Sequence, residues 1–181
     1  EWSLVCESGI AASKPKQSFF MQNHAMDDIY AYTDELYDKR RGAELTPWDF
    51  AANPVDVVVI NLGTNDATPI RFSQDPFVIP ELEDHFQEKF RGLVEQIRRL
   101  NGPKPWIVCS LGSMDYFLFD RIVAAVNEYK AATGDEKIFA FKYLPMNNMS
   151  EGTGGGGHPS MKSHLRMGKE LAYRLRPTRQ K

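Results

Sequence analysis

Four short runs of the chain are almost continuously apolar: residues 2–6 (WSLVC), VDVVVINLG after Pro54, PWIVCSLG from Pro105 and KIFAFKYLP from Lys137. All four are rich in strand formers. A strand with one face in water alternates apolar and polar residues, so continuous runs predict strands buried on both faces. Between these runs the period changes. Leu82, Phe86, Phe90, Leu93, Ile97 and Leu100 fall at intervals of four and three, one helical stripe over residues 81–100. Residues 118–133 repeat the pattern with Phe119, Ile122, Val126 and Tyr129, and Gly134 supplies a C-terminal stop. A last helix opens at Pro159, since proline suits a first turn, and its stripe holds Met161, Leu165, Leu171 and Leu175. Residues 17–36 read as helical with a less regular stripe.

Strands alternating with helices predict one α/β domain over residues 1–181, with a parallel sheet covered by helices on both faces. In such sheets active sites collect beyond the carboxyl ends of the strands. The loops at those ends are residues 7–13, 63–66, 112–115 and 146–159. There is no internal repeat and no long linker.

The chain has 181 residues, 42% hydrophobic and 25% charged, which is ordinary for a globular domain with a sizeable core. A net charge of -2 gives no basic surface for nucleic acid, and no apolar run is long enough to span a bilayer. Cys6 and Cys109 each lie in an apolar run, predicting two buried free thiols. Neither has a second Cys or His at ligand spacing, so no metal and no cofactor are expected. The opening EWSLVCES has no basic or signal-like stretch and enters directly into a β-type run. We therefore expect further material upstream, and the compartment leans cytoplasmic.

Three strand-end loops carry chemistry. GTND, Gly63 to Asp66, lets Asn65 aim a side-chain amide into the site, the donor an oxyanion hole needs; Gly, Asn and Asp also favour plain turns. In GGGGHPSMKSH, His158 precedes Pro159, at or near a helix N-cap. A histidine titrates near working pH and suits a general base, although HPS alone also fits a capping histidine. In ESGIAAS, Gly9 allows a backbone N–H to approach a ligand closely.

Their order is more specific than any one of them. The sequence resembles the SGNH hydrolases, whose blocks run Gly-Asp-Ser, Gly, Gly-x-Asn-Asp and a late His. Gly9 matches the second block, Gly63, Asn65 and Asp66 the third, and His158 the last. PWDF ahead of VVVINLGTND, then CSLGSMD, then HPS followed by His164, is similar to carbohydrate esterase family two. The resemblance implies a three-layer αβα, flavodoxin-like fold and a serine esterase that removes O-acetyl groups from carbohydrates. His158 is then the proton carrier, and Asn65 and the Gly9 N–H are two of three oxyanion donors. Two departures stand out. No Gly-Asp-Ser occurs in the chain, so the nucleophile and first central strand are expected from an upstream segment or second polypeptide; Ser8, Ser13, Ser110 and Ser160 do not suit the role. The position three before the histidine, often Asp in such enzymes, is Gly155. A Ser-His dyad oriented by a backbone carbonyl is the substitute, with Glu151 as the minor alternative.

Other signals carry less. Gly152, Gly154 and Gly157 match a dinucleotide-binding pattern formally, but no βαβ unit follows. His24 and His85 read as structural or exposed, and His164 as a packing or hydrogen-bonding residue with site support as the minor alternative. Trp48, Phe50, Phe72, Phe77, Tyr116 and Phe117 fit either a sugar platform or core packing. Two other functions fit the same residues: a non-catalytic carbohydrate-binding module on this scaffold, and an acyltransferase or lipase-like acylhydrolase.

Overall fold

The computed structural model describes residues 3–7, 9–14, 16 and 24–176. Its centre is a three-stranded sheet of β1 (Val57–Asn61), β2 (Trp106–Leu111) and β3 (Ile138–Lys142), all parallel. β2 lies in the middle; Val59 stands opposite Val108, and Val108 opposite Phe139. Around the sheet are α1 (Met26–Ile29), α2 (Glu35–Arg41), α3 (Thr64–Arg71), α4 (Ile79–Asn101), α5 (Phe119–Thr133), α6 (Asn148–Glu151) and α7 (Met161–Arg174).

Alternate strand residues face two separate cores. Ile60, Ile107, Cys109 and Ile138 pack against α4 and α5 through Phe90, Leu93, Ile97 and Ile122. Val57, Val108, Phe139 and Phe141 face the other way, against Met167, Leu171 and Leu175 at α7. The three-layer αβα arrangement thus follows from strands that are apolar on both faces. The α4 stripe is buried as expected, and α5 ends at Gly134 with φ 70°, a left-handed cap without Cβ cost. Among the described residues no helix is long and apolar enough to cross a membrane.

Four expectations are corrected. Of the run at residues 2–6, residues 3–6 form no strand, and Leu4 is 83% exposed; a strand needs a paired neighbour, and β1 pairs only with β2 among the described residues. Trp2 lies outside the described residues. Cys6 is consequently exposed, while Cys109 is buried, which pushes its thiol well up. The helix over residues 17–36, of which 17–23 lie outside the described residues, is two short pieces. The Thr33 N–H donates to the Thr46 carbonyl, Tyr32 bridges Pro47, and Asp34 caps α2 afresh. The last helix begins at Met161 rather than Pro159, because the Ser160 hydroxyl caps it by accepting from the Ser163 N–H. Its inward face carries Met167, Leu171 and Leu175, whereas Met161 and Leu165 are 79% and 62% exposed.

Candidate active site

The GTND segment is the start of a helix rather than a free turn. Gly63 caps α3 with φ 129°, a conformation that L side chains rarely adopt. A Cβ there would meet Leu111 Cδ1 at 3.2 Å, with Ile122 and Phe86 close behind. Only glycine allows the chain to leave β1 and turn into α3 over this packed core. Asn65 and Asp66 therefore stand in the first turn of α3, at the carboxyl end of β1.

From there both side chains grip the loop that follows residue 9. The Asn65 amide donates to the Ile10 carbonyl at 2.9 Å. An amide nitrogen carries two hydrogens, so one remains for another acceptor. The Ala12 N–H donates to both Asp66 carboxylate oxygens at 3.0 Å. On its other side the loop accepts through the Ala11 and Ala12 carbonyls from Met26 and Asp27 of α1. Gly9, exposed and at φ 76°, lies just ahead of this clamped stretch. Asp66 is only 4% exposed. Burial pushes its carboxyl up to about 6, against the lowering effect of the Ala12 and Ser13 N–H groups.

His158 sits two strands away, in the loop after β3. That loop is held as a small ring. The Gly154 N–H donates to the His158 carbonyl at 2.8 Å, and Thr153 bridges Pro159. A Cβ on Gly154 would come within 2.8 Å of the Pro159 carbonyl oxygen, so this close approach requires glycine. The exposed His158 ring places Nδ1 3.0 Å from the Gly155 carbonyl. A carbonyl only accepts, so Nδ1 carries the hydrogen and Nε2 of the neutral ring is left as the acceptor. This is the tautomer a general base requires. Glu151 is engaged elsewhere: it takes the Ser163 hydroxyl at 2.7 Å and pairs with Arg166 at 2.5 Å. Arg166, first, and Ser163 hold its carboxyl down to about 2. The guanidinium also pairs with Glu170 and donates to the Leu144 and Pro145 carbonyls. Arg166 thereby ties the loop after β3 to α7. The sequence reading missed it, and its only trace there was an Arg one turn into a helix that follows the histidine loop.

Between these two loops lies the end of β2, where the Asn61 amide donates to the Gly112 carbonyl at 3.2 Å. Among the described residues no hydrogen bond joins His158 to Asn65 or Gly9. The structure brings Ile10 and Ala12, just after Gly9, together with Asn65 and Asp66, and places His158 in the loop after β3, two strands away from β1. Ser110 is fully buried and donates to the Ile60 carbonyl, Ser13 is buried, and the Ser160 hydroxyl donates to the Glu151 carbonyl. Ser8 lies outside the described residues. His164, expected to pack, is instead exposed on α7, and His24 pairs with Glu7 at 2.5 Å.

The parallel sheet, its two helical layers and the loops at its carboxyl end define an α/β protein of the SGNH hydrolase type. Within that class the resemblance is to carbohydrate esterase family two. The chain is 30% identical over 134 residues to the cellulase/esterase CelE of Acetivibrio thermocellus, covering 71% of this chain and 15% of that protein. Its fold is similar to an acetyl xylan esterase (Est2A) from the rumen bacterium Butyrivibrio proteoclasticus, with TM-score 0.72 and 25% identity over 86% of this chain and 46% of that one. It is also similar to an active-site mutant of a family two carbohydrate esterase from Clostridium thermocellum in complex with cellohexaose, with TM-score 0.72 and 26% identity over 94% of this chain and 47% of that one. The chain thus spans under half the length of these solved chains. No protein-family model matches it.

Proposed function

We propose that this chain carries the histidine and oxyanion half of a serine esterase that removes O-acetyl groups from carbohydrates, with the nucleophile on an upstream segment. The observation that carries the reading is the His158 ring: Nδ1 is fixed on the Gly155 carbonyl and Nε2 has no hydrogen-bond partner among the described residues. A serine placed between the strand ends gives its proton to Nε2 as its oxygen attacks the acetyl carbonyl carbon. The oxyanion is received by the Asn65 amide, the Gly9 N–H and the nucleophile's own N–H. Collapse returns the proton to the departing sugar oxygen. Water, activated by the same ring, then releases acetate. Each donor contributes about 3 kcal/mol to lowering the barrier.

The upstream origin of the serine is supported by the surfaces left uncovered. One edge of β1 has no strand partner among the described residues, and Val59 on its α7-side face is 38% exposed. On α7 the flank beside the sheet-facing Met167 and Leu171 is apolar or small and exposed, with Met161, Leu165, Gly168 and Ala172. A strand followed by a helix fits that open edge and face. The names of the relatives support the substrate class, and the exposed Phe72 and Phe77 offer faces for sugar C–H surfaces.

The test is intact-mass spectrometry before and after a fluorophosphonate probe, together with acetyl-ester hydrolysis by the full-length product and its His158→Ala form. Label on an upstream serine and hydrolysis lost in the variant are expected. Full activity in His158→Ala would sink the assignment. The second reading, a non-catalytic carbohydrate-binding module, is favoured by Gly155 standing three residues before His158, where such enzymes often carry an Asp. It predicts saturable saccharide binding with no hydrolysis in any preparation.

A further inference from the structure

We propose that Asp66 is a positioning residue: its buried carboxylate holds the Ala12 N–H so that the loop behind Gly9 presents the Gly9 N–H in a fixed direction. The inference rests on the reading of Gly9 as an oxyanion donor. It starts from an oddity of burial. Asp66 is 4% exposed, yet no ion pair reaches it among the described residues. Its recorded partners are backbone N–H groups, with Ala12 at 3.0 Å to each oxygen. A buried charge with no cation paired to it opposes folding, and a neutral cap would satisfy one or two N–H groups at less cost.

What the carboxylate adds is grip. Charge-assisted hydrogen bonds are about twice as strong as neutral ones. The adjacent Asn65 holds the Ile10 carbonyl at 2.9 Å. Two consecutive residues of a helix seated on the main core thereby fix two points of the loop, immediately downstream of Gly9. A donor that must meet developing charge gains from this rigidity, because its orientation need not be found during the reaction.

The test uses the full-length protein, Asp66→Ala and Asp66→Asn, with kcat per probe-titrated site, KM, melting temperature and amide exchange at residues 10–13. The alanine variant should lose ten- to a hundredfold in kcat with KM within twofold, and exchange in the loop should quicken. Asparagine, which keeps one acceptor oxygen, should recover part of kcat. Unchanged kcat per titrated site, even with a lower melting temperature, would overturn the proposal and leave Asp66 as a structural residue. A rise in KM alone would also overturn it. A wild-type protein inert to acetyl ester and probe would instead remove the functional reading, and this inference with it.

Discussion

Replacing Asp66 by asparagine should change how stability depends on pH, whatever it does to stability at any one pH. In the folded protein burial pushes the carboxyl up to about 6, against 3.8 for the exposed group. The folded state therefore favours the protonated form. Its contribution is fully present below the unfolded value and is lost as pH rises through about 6. At 1.36 kcal/mol per pH unit, the whole effect is about 3 kcal/mol, of which about 2 kcal/mol falls between pH 4 and pH 7. Asp27 raises the same group by like charge, and Lys16 and His85 line the cavity beside it. All three remain in the variant, so the difference between the two proteins reads the Asp66 carboxyl. The assay is urea unfolding of wild type and Asp66→Asn at half-unit steps from pH 4 to pH 7. The wild type should lose about 2 kcal/mol relative to the variant across that range. A gap constant to within about 0.5 kcal/mol would refute the reasoning, since it would mean that the carboxyl titrates alike in both states.

Gly63→Ala should cost about 2–4 kcal/mol by urea unfolding, from the positive φ and the 3.2 Å approach to Leu111. Gly92→Ala, in the exposed middle of α4 with nothing within 4 Å of the new methyl, should instead stabilise by up to about 1 kcal/mol. Phe90→Ala, at 0% exposure in the main core, should cost about 3–5 kcal/mol in the same assay. Arg98→Ala should cost about 3 kcal/mol, because the guanidinium pairs with Asp135 at 2.8 Å and satisfies the Gly102 and Pro105 carbonyls. In the full-length protein His158→Ala should lower kcat by about 10²- to 10⁴-fold with little change in melting temperature, because the ring is exposed.

Much of the framework was legible in the linear pattern, for local reasons. The runs at β1, β2 and β3 are apolar on both faces, which requires helices above and below. The α4 stripe and the Gly134 stop follow from helical periodicity and left-handed capping. The same logic singled out the strand ends, where GTND and HPS fall. The failures share one cause. Residues 2–6 have the composition of a strand, but a strand exists only with a neighbour to bond. Residues 17–36 have helical character, but the Thr33–Thr46 and Tyr32–Pro47 contacts turn the described part into two pieces.

The amino-acid sequence by itself determined the fold class and the positions of three strands, because periodicity and short-range backbone chemistry are encoded within a few residues, and its motifs pointed to Asn65 and His158. Tertiary structure alone decided what holds them. That Gly155 rather than Glu151 accepts from His158 depends on Arg166 drawing the Glu151 carboxylate away. That Asp66 clamps Ala12 depends on two segments 54 residues apart meeting where Asp66 is only 4% exposed. Hydrogen bonds of this range have no signature in local pattern, since their partners are chosen by packing rather than by neighbours in the chain.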